Sequence, residues 1–289
     1  MFNPKKKTML KKRLVKAGFF GHGALFIMVS PFSVSSKTPT GFHQLPKANI
    51  VTVHEPCRKD TSIQKTADST SGIEFTAPAI RLNPTAKTYT KHFIKKNSEA
   101  LELAQKRSER YFKIIEPIFE RHDLPVELKY LAVVESQLKA SALSHAGARG
   151  PWQLMPTTAR ELGLKVTTKQ DDRTHYYKST MAAAKHLKNL YAEFGDWLLV
   201  LAAYNSGSGT VYKAIKKSGS RNFWKLQGFL PAETRGHVKR YIATHCYFQE
   251  EHSLTMLTKA ETTAYFKEVS EFKIKQSLQL DERSIIAVR

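Results

Sequence analysis

Cysteine is nearly absent: Cys57 and Cys246 are the only two in the 289-residue chain. They form no metal-binding spacing, and the 11 histidines show no zinc pattern. No cysteine directly follows the apolar stretch near the amino terminus, which argues against lipid attachment there. An oxidising compartment would permit one disulfide, but Cys57 sits in a stretch of flexible composition, so pairing is not the expectation. Acid is also scarce, with 25 Asp+Glu against 46 Lys+Arg and a formal net charge of +21. Yet the basic residues are mixed among acids and no nucleic-acid-binding motif occurs, so nucleic acid is not the expected partner. The charge reads first as a solvated basic surface, and in an exported protein also as a surface suited to an anionic envelope. Internal repeats are missing too.

What is present begins with a targeting layout. Residues 1–16 hold seven basic residues and no acid, and "AGFFGHGALFIMV" and then Ser33, Ser35 and Ser36 follow. Basic, apolar and small in that order predict a secretory signal peptide. The apolar run is short and carries His22, which disfavours a stable membrane span. Cleavage after Ser35 would remove the seven charges and lower +21 to +14. The chain divides accordingly into a signal peptide or membrane anchor (1–35), an extended linker rich in Thr, Ser, Pro and Lys (36–95), a helical region (96–250) and a helical tail (251–289). "IEFTAPAIRL" alone has the look of a short strand.

Helical patterning starts near Asn97, with Leu101, Leu103, Ala104, Tyr111, Phe112, Ile115, Ile118 and Phe119 in one stripe and a break expected at Pro117. In "HDLPVELKYLAVVES", Asp123 is a candidate cap and Pro125 suits a first helical turn. "MPTTAREL" carries a Thr158–Glu161 capping-box pattern, ended by Gly163. Gly195 closes "STMAAAKHLKNLYAEFG", and Asp196 caps the very apolar "DWLLVLAAYN". "GTVYKAIKK", "PAETRGHVKRYIATHCYF" and "LTKAETTAYFKEV", the last with a Thr-x-x-Glu start, complete an all-α reading.

One carboxylate stands out. Leu128, Leu131, Ala132 and Glu135 share a helix face, so Glu135 emerges at the edge of the core. Desolvation there would raise a carboxyl pKa and leave an acid able to protonate a leaving oxygen. Taken by itself, the helix better suits a glutamate turned toward water. Other residues also allow two readings: Trp152 suits a sugar platform or a core, Tyr204 a site or a satisfied core hydroxyl, and Glu233 a cleft or a helix amino terminus. Asp171, Asp172 and Arg173 read as a structural turn and ion pair.

The ordered motifs "ESQLKASALSHAGARGPWQLMPTTARELGL", "LLVLAAYNSGSGTV" and "LPAETRGHV" resemble the lysozyme-like lytic transglycosylases, bacterial enzymes that cleave peptidoglycan. "LP" before the glutamate helix and "WQ" for the usual "MQ" point to the membrane-bound D type. The resemblance covers roughly Leu124 to Tyr247 and implies a packed-helix, lysozyme-like domain with a substrate cleft. It also implies roles: Glu135 as the single catalytic acid/base, Ser144 near that carboxyl and the substrate's N-acetyl group, and Gln153 and Met155 in the cleft. Tyr204 and Asn205 match the motif beside the acid, and Glu233 and Tyr241 match further cleft positions. Pro151, Arg149 and His237 depart from the pattern, which commonly has leucine, a small residue and tyrosine there.

The reaction so implied breaks the β-1,4 bond between N-acetylmuramic acid and N-acetylglucosamine and leaves a 1,6-anhydro-muramic acid end. It needs no metal or cofactor. The expected partner is a peptidoglycan glycan strand, met by a monomer in the periplasm or cell envelope, with membrane association if the first segment is retained. A hydrolase on the same fold and a catalytically silent wall-binding protein are the alternatives. No carbohydrate-binding repeat follows the core.

Overall fold

Asn83 starts the first helix, its side chain accepting from the Thr85 amide at 3.0 Å while Pro84 supplies the preset φ of a first turn. The computed structural model describes residues 77–287, with side chains through 278. Helix α1 runs Pro84–Arg121, so the helical region begins well before Asn97 and the lead-in is already helix over 84–95. The break expected at Pro117 lies instead at Asn97 (φ −120°, ψ 19°), whose side chain donates to the Phe93 carbonyl. Pro117 forfeits one backbone hydrogen bond, but Ile115, Ile118 and Phe119 around it are fully buried, and that packing carries the helix through.

A 3₁₀ turn over Val126–Lys129 leads into α2 (Tyr130–Ser136). Asp123 is not a cap: it takes a left-handed φ of 57° in the turn between the helices. Next comes α3 (Pro156–Glu161), which forms without the Thr158–Glu161 box. Pro156 occupies the first turn and shifts the helix start upstream, so Met155 flanks it and Thr158 lies inside. Gly163 (φ 89°) ends α3 as expected, with the Leu164 amide reaching back to the Ala159 carbonyl.

Helix α4 (Tyr176–Phe194) closes at Gly195 with φ 60°. Asp196 then caps α5 (Trp197–Ser206) by accepting from the Leu199 amide at 3.1 Å. Trp197 through Ala203 are all buried, so α5 is the central helix, packed against α4, α6 (Ser208–Ser218) and α8 (Ala232–Phe248). Helix α7 (Phe223–Leu226) links α6 to α8. The Thr258–Glu261 box forms in full at the start of α9 (Lys259–Ala287). Ile80 packs against Leu257, Tyr265 and Val269, and its carbonyl meets His252 Nδ1 at 2.8 Å, which joins the lead-in to the tail.

Among the described residues there are no strands beyond isolated bridges such as Leu143 with Arg149, so the all-α expectation holds. Residues 77–82 of the suggested strand are unpaired chain, and its first residues lie outside the described part. The amino-terminal signal segment and Cys57 lie outside it as well. Cys246 is buried in α8. No helix among the described residues is long and apolar enough to cross a membrane.

Candidate active site

Glu135 is the penultimate residue of α2, and the chain behind it is tightly held. Leu128, Leu131 and Ala132, on the same face, are fully buried, as their spacing predicts. The helix stops because Gln137 and Leu138 turn left-handed (φ 54° and 61°). For residues with a Cβ such a conformation costs about 1–2 kcal/mol each and persists only where the surroundings impose it. Those surroundings are explicit. Arg107 donates to the Gln137 carbonyl at 3.1 Å, the Tyr176 hydroxyl donates to the Leu138 carbonyl, and the Leu138 side chain is fully buried. The Ser136 hydroxyl reaches the Pro151 carbonyl at 2.9 Å, tying the end of α2 to the following loop.

The Glu135 side chain keeps 13% of its surface exposed. Its Oε1 lies 2.8 Å from Nε2 of His237, which projects from α8 and is almost wholly buried. Oε2 makes no hydrogen bond among the described residues. Tyr204, in the last turn of α5, donates its hydroxyl to the Trp152 carbonyl at 2.8 Å. Burial of that phenol, reinforced by the negative charge of Glu135, pushes its pKa well above the ordinary value. The ring of His186 packs beside it at 5.3 Å, and burial lowers that imidazole to about 4, so it is neutral near pH 7.

The loop from Ala142 to Met155 forms the adjoining wall. Ser144 Oγ accepts from the Ala148 amide at 2.9 Å, which leaves its hydroxyl hydrogen available to another partner. Arg173 clamps the loop near its middle and at its far end, donating to the Gly147 carbonyl at 2.8 Å and the Leu154 carbonyl at 3.0 Å while its guanidinium pairs with Asp171. Those charge-assisted bonds bear out the structural reading of Asp171 and Arg173. Hydrogen bonds from Arg173 hold the Asp171 carboxyl below the ordinary carboxylate range. Gln153 sits at φ 46° and commits its amide nitrogen to the Ala142 and Gly150 carbonyls, leaving its oxygen free of those two bonds. Met155 is partly buried at the start of α3.

The other expected site residues divide. Asn205 accepts from the Thr234 hydroxyl at 2.9 Å and so ties the end of α5 to the first turn of α8. Glu233 is exposed and paired with Arg240 on its own helix. Tyr241 is not a cleft residue: it is fully buried, with its hydroxyl 2.8 Å from Thr255 Oγ1 and 3.2 Å from the Glu127 carbonyl. One turn earlier on the same face of α8, His237 takes the place beside the acid. Trp152 is also core, fully buried with its indole N–H on Thr180, so its sugar-platform reading is closed. The sequence assigns no role to His237, and its departure from the usual tyrosine is the one signal there that marks the position.

The arrangement provides a carboxyl group with one oxygen held by an imidazole and the other uncommitted, at the edge of an apolar core. Such a group suits proton transfer to and from a ligand lying against the Ser144 loop. Among the described residues no cluster of His, Cys, Asp and Glu fits a metal ion.

Residues 113–227 match the model of the transglycosylase SLT domain. Over 153 residues the chain is 40% identical to membrane-bound lytic murein transglycosylase D of Escherichia coli (strain K12), covering 51% of this chain and 33% of that protein. Over 84 residues it is 40% identical to the peptidoglycan transglycosylase gp16 of Escherichia phage T7, covering 28% of this chain and 6% of that one. The crystal structure of the 70 kDa soluble lytic transglycosylase of Escherichia coli aligns with a TM-score of 0.47 at 21% identity, covering 61% of this chain and 32% of that one. The chain thus spans about a third of the length of the first of these relatives.

Proposed function

We propose that this chain, which carries a transglycosylase SLT domain over residues 113–227, is a peptidoglycan lytic transglycosylase. The observation that supports the reading is the placement of Glu135 on the matched segment, with Oε1 on His237, Oε2 uncommitted, and the next residue, Ser136, bonded to Pro151 of the Ala142–Met155 loop. In the proposed reaction Glu135 protonates the oxygen that links N-acetylmuramic acid to N-acetylglucosamine. The C1–O bond breaks, and the substrate's own N-acetyl group stabilises the positive charge that develops at C1. The carboxylate so formed takes the proton of the muramoyl C6 hydroxyl. That oxygen closes onto C1, giving the 1,6-anhydro end and restoring the acid. Water is neither consumed nor released, unlike in the two-carboxylate glycosidases.

Ser144 is proposed to meet the N-acetyl group with its uncommitted hydroxyl hydrogen. Gln153, Met155, Tyr204, Asn205 and Glu233 are proposed to line the path of the glycan. Tyr241 is excluded from it by burial. The basic, apolar and small residues at the amino terminus support export to the periplasm or cell envelope. The basic surface supports contact with an anionic wall.

Digestion of purified peptidoglycan, followed by mass spectrometry of the released muropeptides, tests the reading. Products ending in 1,6-anhydro-muramic acid are expected. Products heavier by one water, with reducing ends throughout, would identify a hydrolase. An undigested wall would identify a silent binding protein.

A further inference from the structure

We infer that His237 is a positioning residue for Glu135: it holds Oε1 through Nε2–H, so that Oε2 alone gives and takes the proton. The catalytic part of this inference rests on the acid/base reading of Glu135; the contact itself does not.

The imidazole has two nitrogens in different surroundings. Nε2 lies 2.8 Å from a carboxylate oxygen, whereas Nδ1 is buried with no hydrogen-bond partner among the described residues. An ionised carboxylate only accepts, so the proton on the ring belongs at Nε2. A buried N–H without an acceptor is rarer in proteins than an unused acceptor, so Nδ1 is left bare. Both nitrogens therefore select the same neutral tautomer. A doubly protonated ring would add an orphaned N–H and a charge at a nearly inaccessible position.

This tautomer is compatible with every stage of proton transfer. The carbonyl oxygen of a neutral carboxylic acid accepts a hydrogen bond just as a carboxylate oxygen does. With Oε1 held by Nε2–H throughout, the acid proton sits on Oε2, leaves from it, and returns to it. The ring never changes charge. It fixes the carboxyl rotation instead, and a carboxyl that rotates freely would spend most of its time misdirected. The surrounding groups do not compete for the ring. The Tyr204 hydroxyl is committed to the Trp152 carbonyl, and Glu233 and Arg240 on α8 pair with each other.

The inference is tested on the full chain with His237→Phe, His237→Gln and His237→Tyr. Phenylalanine fills the space without a donor, and kcat should fall about 10²-fold with KM changed less than about threefold. Glutamine and tyrosine each offer one donor toward the carboxyl, and should recover kcat to within about tenfold of wild type. Urea midpoints for all three identify any loss that is only unfolding. Ring ¹⁵N spectra of His237 give the reading independent of activity. Wild type should show Nε2 protonated and Nδ1 bare, Glu135→Gln should keep that state through its amide oxygen, and Glu135→Ala should lose the hydrogen-bonded signature. A ring protonated at Nδ1, or a well-folded His237→Phe with wild-type kcat, would overturn the inference. A wild-type protein inert on peptidoglycan would overturn the lytic reading instead, whatever the ring spectra show.

Discussion

A Cβ placed on Gly150 would lie 1.9 Å from the carbonyl oxygen of Arg173, a separation that no side chain can occupy. The two segments meet here because Arg173 reaches across to the carbonyls of Gly147 and Leu154, drawing its own backbone against the loop beside Glu135. Gly150→Ala should therefore cost about 3 kcal/mol or more, through a left-handed φ of 85° and the clash together. Gly147 has a similar φ of 86° but open space around its Cα, so Gly147→Ala should cost only about 1–2 kcal/mol. Urea unfolding of both variants measures the difference. Equal losses would mean that the close approach is relieved without cost.

Glu135→Gln should abolish wall digestion and leave the fold intact. Glutamine keeps the shape and can still accept from His237 Nε2 through its amide oxygen, so stability should move by no more than about 1 kcal/mol. It cannot shuttle a proton, and loss of acid catalysis alone removes about 10²–10⁴-fold. Because the same carboxyl is proposed to act as base, the loss should exceed that range. Muropeptide release near the wild-type rate would remove Glu135 from the mechanism.

Tyr241→Phe separates a buried structural hydroxyl from a substrate contact. The variant leaves the Thr255 hydroxyl and Glu127 carbonyl without this partner, so it should lose about 1–2 kcal/mol of stability. Muropeptide release by the folded protein should stay within about twofold of wild type. A large loss of activity at unchanged stability would return Tyr241 to the cleft.

His245 makes the fold sensitive to mild acid. Burial lowers its imidazole to about 3, and the nearby His252 and Lys129 charges act in the same direction. In the unfolded chain the ring titrates near its ordinary value of about 6.5. Between those values the unfolded state binds a proton that the folded state refuses, so stability falls as pH drops from about 6.5 toward 3. The slope is about 1.4 kcal/mol per pH unit, or about 2 kcal/mol between pH 6.5 and 5. His186, lowered to about 4, adds a second contribution of the same sign. His245→Phe keeps a ring against Tyr130 and removes one of the two contributions. Its urea midpoint should therefore fall less than the wild-type midpoint between pH 7 and pH 5. Parallel declines would show that His245 titrates normally in the fold.

The amino-acid sequence by itself determined features whose causes lie within a few residues. Gly195 closes α4, Asp196 caps α5, and Thr258 with Glu261 starts α9, because each acts on backbone groups at most four positions away. The buried face under Glu135 was legible for the same reason, since Leu128, Leu131 and Ala132 repeat at helical spacing. The Pro117 break was not borne out, because a proline penalty is local whereas the packing of Ile115, Ile118 and Phe119 that outweighs it is not. Trp152, in a loop, carries no local sign of whether it faces sugar or core; its N–H bond to Thr180 on α4 decides it. His237 and Tyr241 lie one turn apart on one face of α8, and no pattern within that helix distinguishes them. Only the packing of α8 against the end of α2 decided that the imidazole meets the carboxylate and the phenol lies buried beneath. That contact joins residues 102 positions apart, and its register depends on how whole helices fill the shared core.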